Sequence, residues 1–259
     1  MGEYSIYLET ARVVAREAGD LLKRDYHRPG EVFFKGEVNL VTETDTASQD
    51  LIYGRLSKAF PGHDFLAEEG LNTHSEAEFR WVFDPLDGTT NFAHRFPVFC
   101  VSIALEHRGR LACGVVHNPM SGETFWGERG AGAFFNGERV RVSKVADLGR
   151  SLVATGFPYD IRETRTNMCN HDHFLLKAQA VRRCGSAAID LCYVACGRFD
   201  GFWEMKLSPW DTAAGALIAE EAGGRVTDFA GRPVDIYHPE VLASNGLIHQ
   251  AMLDVLSTA

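Results

Sequence analysis

Two aspartates three residues apart, Asp84 and Asp87, end the apolar run that opens WVFDPLDGTTNFAHRF (81–96), with Pro85 between them and Gly88-Thr89-Thr90 straight after. Either they are turn formers that satisfy their own backbone, or they are oxygen ligands for something held in place. Two further acids stand in similar positions. Glu68, in AEEG (67–70), follows a short apolar run, and Asp211 follows Pro209-Trp210 where a helix starts. Taken alone each has an ordinary explanation, a solvated loop for Glu68 and a helix N-cap for Asp211. Strand ends and helix starts are, however, where a rigid scaffold presents side chains to a cleft. Carboxylates gathered in one cleft repel by about 4 kcal/mol per pair at about 4 Å and an intermediate dielectric, so such a cluster calls for cations. Hard divalent ions that take oxygen ligands, Mg²⁺ above all, suit it.

The residues after Asp87 add a second element of chemistry. A glycine followed by hydroxyl residues, placed where a helix can begin, turns backbone N–H groups outward and makes an anion site. Metal ligands beside a phosphate cradle suit hydrolysis of a phosphate ester. Covalent aspartyl catalysis uses acids two apart, whereas here they are three apart with proline between. EF-hand calcium binding is excluded as well, because DPLDGTTN has neither the ligand spacing nor the terminal Glu.

The elements that must position these groups lie in a chain of 259 residues, 45% hydrophobic, which is long enough for a large core as one domain or two. Lys and Arg total 26 against 35 Asp and Glu, a net charge of -9, and without a long basic run this argues against nucleic acid as a partner. The six cysteines form no CxxC pair, and a reducing cytoplasm is the expected location. Cys192 and Cys196, four apart, read as small buried apolar residues. No apolar run approaches the ~20 residues that span a bilayer, and no basic leader precedes an apolar core, so a soluble, unprocessed protein with no membrane partner is expected. Ile6 stands where a myristoylation signal wants Ser or Thr.

Tyr7, Ala11, Val14, Ala18 and Leu21 predict an amphipathic helix ending before His27. A second helix is predicted over 44–59, with FFKGEVNLVTETD between them as a loop or hairpin. The strand WVF leads into the acidic motif. An antiparallel meander follows to about residue 145, with Asn136-Gly137 as a hairpin turn. Beyond Ser151 strands and helices alternate: SLVATGF, FLLKAQAV as a helix, AAIDLCYVACG as a helix, FDGFWEM, DTAAGALIAEEAG as a helix, and GRVTDF. Two subdomains, 1–145 and 146–259, are expected. His171-Asp172-His173 has a metal-like composition but reads as a surface loop. Arg182-Arg183 either meets a second phosphate or faces solvent.

AEEG, WVFDPLDGTTNF and WDTAAGALIAEEAGG (210–224), together with VTETD, GAFFNGERVRVS and CGSAAIDLCYVACGRFDGFWEM, resemble the inositol monophosphatase family of lithium-sensitive, metal-dependent phosphatases over nearly the whole chain. The resemblance implies an α+β, α/β fold, a layered α-β-α-β-α sandwich shared with fructose-1,6-bisphosphatase, and a homodimer. It implies two or three Mg²⁺ ions held by Glu68, Asp84, the Leu86 carbonyl, Asp87 and Asp211. Thr89, oriented by Asp45, would help Glu68 deprotonate the attacking water, with no phospho-enzyme. Gly88 and Thr89 N–H groups would grip the phosphate. Asp87, Glu204, Asp211 and the backbone at Gly185 and Ala187 would read the substrate's hydroxyls, and Lys35 would sit on a mobile loop. Asn39 departs from the family's usual Asp before LVT, which puts the behaviour of that loop in question. The implied reaction is inositol monophosphate hydrolysis. Fructose 1,6-bisphosphate, histidinol phosphate and nucleotide 3'-phosphates are alternative substrates, and a regulatory protein that keeps the fold is the non-enzyme alternative.

Overall fold

The computed structural model describes residues 2–27, 32–34 and 40–258. In chain order its helices are α1 (Ser5–Tyr26), α2 (Glu43–Ala59), α3 (Thr89–Ala93), α4 (Ile161–Thr164), α5 (Met168–Lys177), α6 (Ala187–Ala195), α7 (Pro209–Glu221) and α8 (His249–Leu256). A short hairpin pairs β1 (Val32–Phe34) with β2 (Leu40–Thr42). The larger sheet runs in sequence order through β3 (Asp64–Ala67), β4 (Phe79–Asp87), β5 (Cys100–His107), β6 (Arg110–Asn118), β7 (Glu123–Glu128), β8 (Gly132–Phe135) and β9 (Glu138–Arg139). Its β3–β4 pair is parallel and the rest are antiparallel. The second sheet is built from β10 (Leu152–Thr155), β11 (Ala180–Arg182), β12 (Gly201–Met205), β13 (Arg225–Thr227) and β14 (Glu240–Ser244) in the order β11-β10-β12-β14-β13.

Alternation along the strands separates the layers, because successive side chains leave opposite faces. In β4, Trp81 and Phe83 join a core with Ala11, Val14, Ala18 and Leu22 of α1 and with Ile52 and Leu56 of α2. Val82 turns the other way, into a core filled by α6 and α7. In β12, Phe202 faces that same middle layer, while Trp203 faces outward to Phe174 of α5 and Met252 of α8. The order is therefore α1/α2, sheet, α6/α7, sheet, α5/α8, an α-β-α-β-α sandwich. The middle layer must be thin where it lies on the larger sheet, and small residues allow this. A Cβ at Gly114 of β6 would lie 2.9 Å from Ala214 Cα of α7. Gly114→Ala is expected to push α7 away and cost about 1–3 kcal/mol, which a thermal melt would show as a drop of several degrees; an unchanged melt would contradict this packing.

Some boundaries differ from the sequence reading. The deepest stripe of α1 uses Leu8 and Leu22, with Tyr7 and Leu21 only partly buried beside it. The strand that begins before WVF does not stop at Phe83. It continues to Asp87, with its register to β5 shifted between Asp84 and Asp87, where Pro85 has no N–H to give the ladder. The expected helix FLLKAQAV lies earlier, as Met168–Lys177, and Ala180–Arg182 is instead a strand beside β10. His171-Asp172-His173 therefore sits on a helix, not a loop. The polar residues there face outward, and among α5 residues only Asn170 and Phe174 are buried. The Asn136-Gly137 turn is as expected, with both residues at positive φ between β8 and β9. Lys35 and Asn39 fall outside the described residues. Among the described residues, no helix is long and apolar enough to cross a membrane.

Candidate active site

The acids meet where β4 ends. Asp84 and Asp87 leave the last turn of that strand on either side of the proline, and Asp211 comes from the first turn of α7. One oxygen of each of these three carboxyls lies within 4.8 Å of the others. Asp211 is not the N-cap. Ser208 holds that position, and the Asp211 side chain reaches back to its backbone, Ser208 N donating to Oδ2 at 2.7 Å.

The anchoring follows one pattern at all three. Asp84 Oδ1 accepts from Leu86 N at 2.8 Å. Asp87 Oδ2 accepts from Ser186 Oγ at 2.7 Å and Ala188 N at 2.9 Å, at the start of α6, and meets Cys100 Sγ at 3.7 Å. Each carboxylate thus fixes one oxygen by a hydrogen-bond donor, from its own turn for Asp84 and Asp211 and from the start of α6 for Asp87. Among the described residues no hydrogen bond reaches Asp84 Oδ2, Asp87 Oδ1 or Asp211 Oδ1. Rigid side chains with one committed oxygen and one uncommitted oxygen are what a cation site requires.

Electrostatics point the same way. Burial, then the charges of Glu68, Asp87 and Asp211, pushes Asp84 well above the usual carboxylate range. Asp211 is raised well above it by burial, then by Asp87 and Glu68. Asp87 is raised by burial against the donors Ser186, Ala188 and Cys100. Glu68, just after β3, is half-buried and close enough to act on both Asp84 and Asp211. Without cations this concentration of negative charge is unfavourable. Oxygen donors of this kind fit a hard divalent ion.

Beside the acids, Gly88 takes a left-handed conformation (φ 98°) and caps the short helix α3. A side chain there would press on Val98 O at 3.0 Å and Gly185 O at 3.3 Å, so glycine is required both for the turn and for the close approach of the segment before α6. The first-turn N–H groups of α3 have no intrahelical acceptor, by helix geometry. Thr89 Oγ1 lies 3.1 Å from both Asp45 Oδ1 and Leu86 O, and Thr89 and Asp45 are both buried. Ser48 Oγ donates to Pro85 O at 2.9 Å, which ties α2 to the acidic turn. Gln49 pairs through both amide atoms with the backbone of Glu69, holding the Glu68 loop against the same helix.

Glu204, on β12, lies across from this group. Its carboxyl occupies the space over Gly156, where a Cβ would be 2.1 Å from Oε1. Burial, then the charges of Asp190, Asp211 and Asp87, raises it well above the usual range. Ala187 has its N–H turned toward Asp87.

Several residues here had no role in the sequence reading. Asn91 Nδ2 donates to Val98 O at 2.7 Å and Cys184 O at 2.8 Å, joining the Gly-Thr-Thr turn to the segment before α6. Ser186 combines two jobs, N-cap of α6 and donor to Asp87; only its place before an apolar helix was readable. Tyr159 stands beside the acids: burial, with a hydrogen bond to Thr90 opposing and Glu68, Asp87 and Asp211 adding to it, moves its hydroxyl up to about 12.

Asp190 is 1% exposed, and its Oδ1 has no hydrogen-bond partner. Burial raises its carboxyl well above the usual range, Cys184 opposing by hydrogen bond. An acid raised in the folded state costs nothing while both states are protonated. The cost grows as pH climbs above the unfolded pKa of about 3.9, where only the unfolded state ionises freely. Asp190→Asn is therefore expected to stabilise the protein by about 0.5–2 kcal/mol at pH 8. The gain should shrink to nothing below about pH 4. Thermal melts at both pH values test this, and a gain that is equal at both contradicts it.

The sequence matches the inositol monophosphatase family over residues 3–258. An inositol-1-monophosphatase of Mesorhizobium japonicum is 43% identical over 243 residues, covering 92% of this chain and 91% of that protein. The Nus factor SuhB of Escherichia coli is 43% identical over 250 residues, covering 95% and 94%. The solved structure of inositol monophosphatase from Anabaena (Nostoc) superimposes with a TM-score of 0.91 at 40% identity, covering 100% of this chain and 98% of that one. The family match, with the layered sandwich and its acidic cluster, thus gives a phosphatase class. The chain belongs to the inositol monophosphatase family.

Proposed function

We propose that this chain is a Mg²⁺-dependent phosphomonoesterase that converts myo-inositol monophosphate and water to myo-inositol and phosphate by direct attack of water. The observation that carries this is the anchoring of Asp84, Asp87 and Asp211, each with one oxygen tied to a hydrogen-bond donor and one uncommitted, next to the Gly88-Thr89 turn. The ions this donor set would hold, two or three Mg²⁺ at Glu68, Asp84, Asp87, Asp211 and the Leu86 carbonyl, supply charge screening for the phosphate and acidify water.

The protein's own groups do the rest. Backbone N–H groups of Gly88 and Thr89 grip the phosphate, whose negative charge the start of α3 favours. Asp45 and the Leu86 carbonyl orient the Thr89 hydroxyl. With that hydroxyl fixed, Thr89 positions the water and Glu68 receives its proton. Glu204, Asp87 and Asp211, with the backbone at Gly185 and Ala187, read the hydroxyls of the leaving alcohol. In the same reading the protein works in the cytoplasm as a homodimer of two-part protomers, divided near residue 145, and Li⁺ and excess Mg²⁺ inhibit it.

Phosphate release from inositol 1-phosphate, fructose 1,6-bisphosphate, histidinol phosphate and a nucleotide 3'-phosphate at saturating Mg²⁺ tests the substrate. The expected result is the highest kcat/KM on inositol 1-phosphate. Turnover of none would favour a regulatory protein instead. Glu204→Gln should lower kcat/KM on inositol 1-phosphate by about 10- to 100-fold, while leaving hydrolysis of p-nitrophenyl phosphate, which has no hydroxyls to read, nearly unchanged. Equal losses on both esters would remove Glu204 from substrate recognition.

A further inference from the structure

The segment Cys169-Asn170-His171-Asp172-His173 takes no part in the proposed reaction, yet the helix arranges it for chemistry of its own. Cys169 and His173 are one turn apart on α5, four residues in sequence, and so share a face. Cys169 Sγ lies 3.8 Å from His173 Nε2. His171, two residues from each, turns elsewhere, its ring 5.5 Å from that of Phe157. Of the six free cysteines, Cys169 alone is exposed.

The other ring nitrogen has an outer contact of its own. His173 Nδ1 is 3.5 Å from Thr258 Oγ1, and the Thr258 hydroxyl donates to Val255 O at 2.8 Å. Nε2 is the ring nitrogen on the side of Cys169, and an outer partner at the second nitrogen is a common feature of metal-ligating histidines.

The spacing agrees. A tetrahedral ion with a sulfur at about 2.3 Å and a nitrogen at about 2.0–2.1 Å holds the two donors about 3.6 Å apart. The observed separation needs only a few tenths of an ångström of closure. Asp172, exposed on the same turn, points its carboxylate toward His171 instead, Oδ1 lying 3.8 Å from Nδ1, which leaves the remaining positions around the pair to water.

We propose that Cys169 and His173 form a surface site for a soft divalent cation of the Zn²⁺ class, separate from the acid cluster. On binding, the Cys169 thiol gives its proton to water as the sulfur–metal bond forms, His173 Nε2 donates its lone pair, and waters complete four ligands; no electron is transferred. A thiolate and an imidazole exclude Mg²⁺ from this site and favour a softer ion. His173 also touches Thr258, just after α8, so the site lies where α5 meets α8.

Co²⁺ titration of the whole protein, at saturating Mg²⁺ and with a reductant that carries no thiol, tests the site, since a near-ultraviolet thiolate-to-cobalt band reports only on a cysteine ligand. The expected result is a saturable band in the wild type and in Asp84→Asn, absent in Cys169→Ser and shifted to at least about tenfold weaker affinity in His173→Gln. Circular dichroism verifies that both surface variants fold. No saturable band in the wild type overturns the proposal, as does a band that survives Cys169→Ser or is unmoved in His173→Gln. Persistence in Asp84→Asn separates this result from the outcome at the phosphatase site.

Discussion

Asp84→Asn is expected to lower kcat for phosphate release by at least about a thousand-fold while making the metal-free protein more stable. The two effects have one cause. Asp84 is buried at the centre of the cluster, and Glu68, Asp87 and Asp211 all act on it. The substitution keeps the shape and the acceptor for Leu86 N, but removes a charge and leaves an amide where a cation would need an anionic oxygen. In the metal-free protein the same removal relieves repulsion, so Tm in EDTA at neutral pH should rise by a few degrees, the signature of a site that gives up stability for function. Kinetics at saturating Mg²⁺ and melts in EDTA measure the two. A variant that retains normal turnover, or one that loses both activity and stability, would place Asp84 outside the cation site or make it merely structural.

Thr89→Val is expected to reduce kcat by about 100- to 1,000-fold, with little change in KM and in fold. Valine matches the shape of threonine but cannot donate to Asp45 Oδ1 or to the Leu86 carbonyl. Thr89 is buried beside the acids, so no solvent replaces its hydroxyl. Serine at this position restores the hydroxyl and should recover most of the rate. If valine and serine lose equally, the role is packing. If KM rises while kcat holds, Thr89 contributes only to binding.

The parts of the site legible in the sequence are those with local signatures. Asp84 and Asp87 flank a proline at the end of an apolar run, Gly88 precedes two hydroxyl residues, and Asp211 follows a proline at a helix start; each pattern acts within a few residues. What local pattern could not supply is partnership across the chain. Ser186 reaches Asp87 from 99 residues away, and Asn91 joins Cys184 from 93 away. Nothing in AAIDLCYVA marks Asp190 as a buried acid with an unpartnered oxygen, because its surroundings come from β12 and the segment before α6. The fold shows the same division. The meander and the Asn136-Gly137 hairpin are legible from alternation and turn chemistry, whereas α5 begins before its apolar residues do, because its first half is polar and Phe174 stacking on Trp203 holds it. The strand β14 and the helix α8, without which the second sheet and its outer layer are incomplete, are defined by their packing on β12 and α5.

The central claim, that Asp84, Asp87 and Asp211 jointly hold a divalent ion beside the Gly88-Thr89 turn, is tested most directly by anomalous X-ray diffraction from crystals soaked in Mn²⁺ and phosphate. The account predicts an anomalous peak between the three carboxylates, with metal–oxygen distances near about 2.1 Å, and phosphate against the backbone of Gly88 and Thr89. Crystals of active protein with no anomalous peak among these aspartates, or with the ion bound elsewhere, would contradict it.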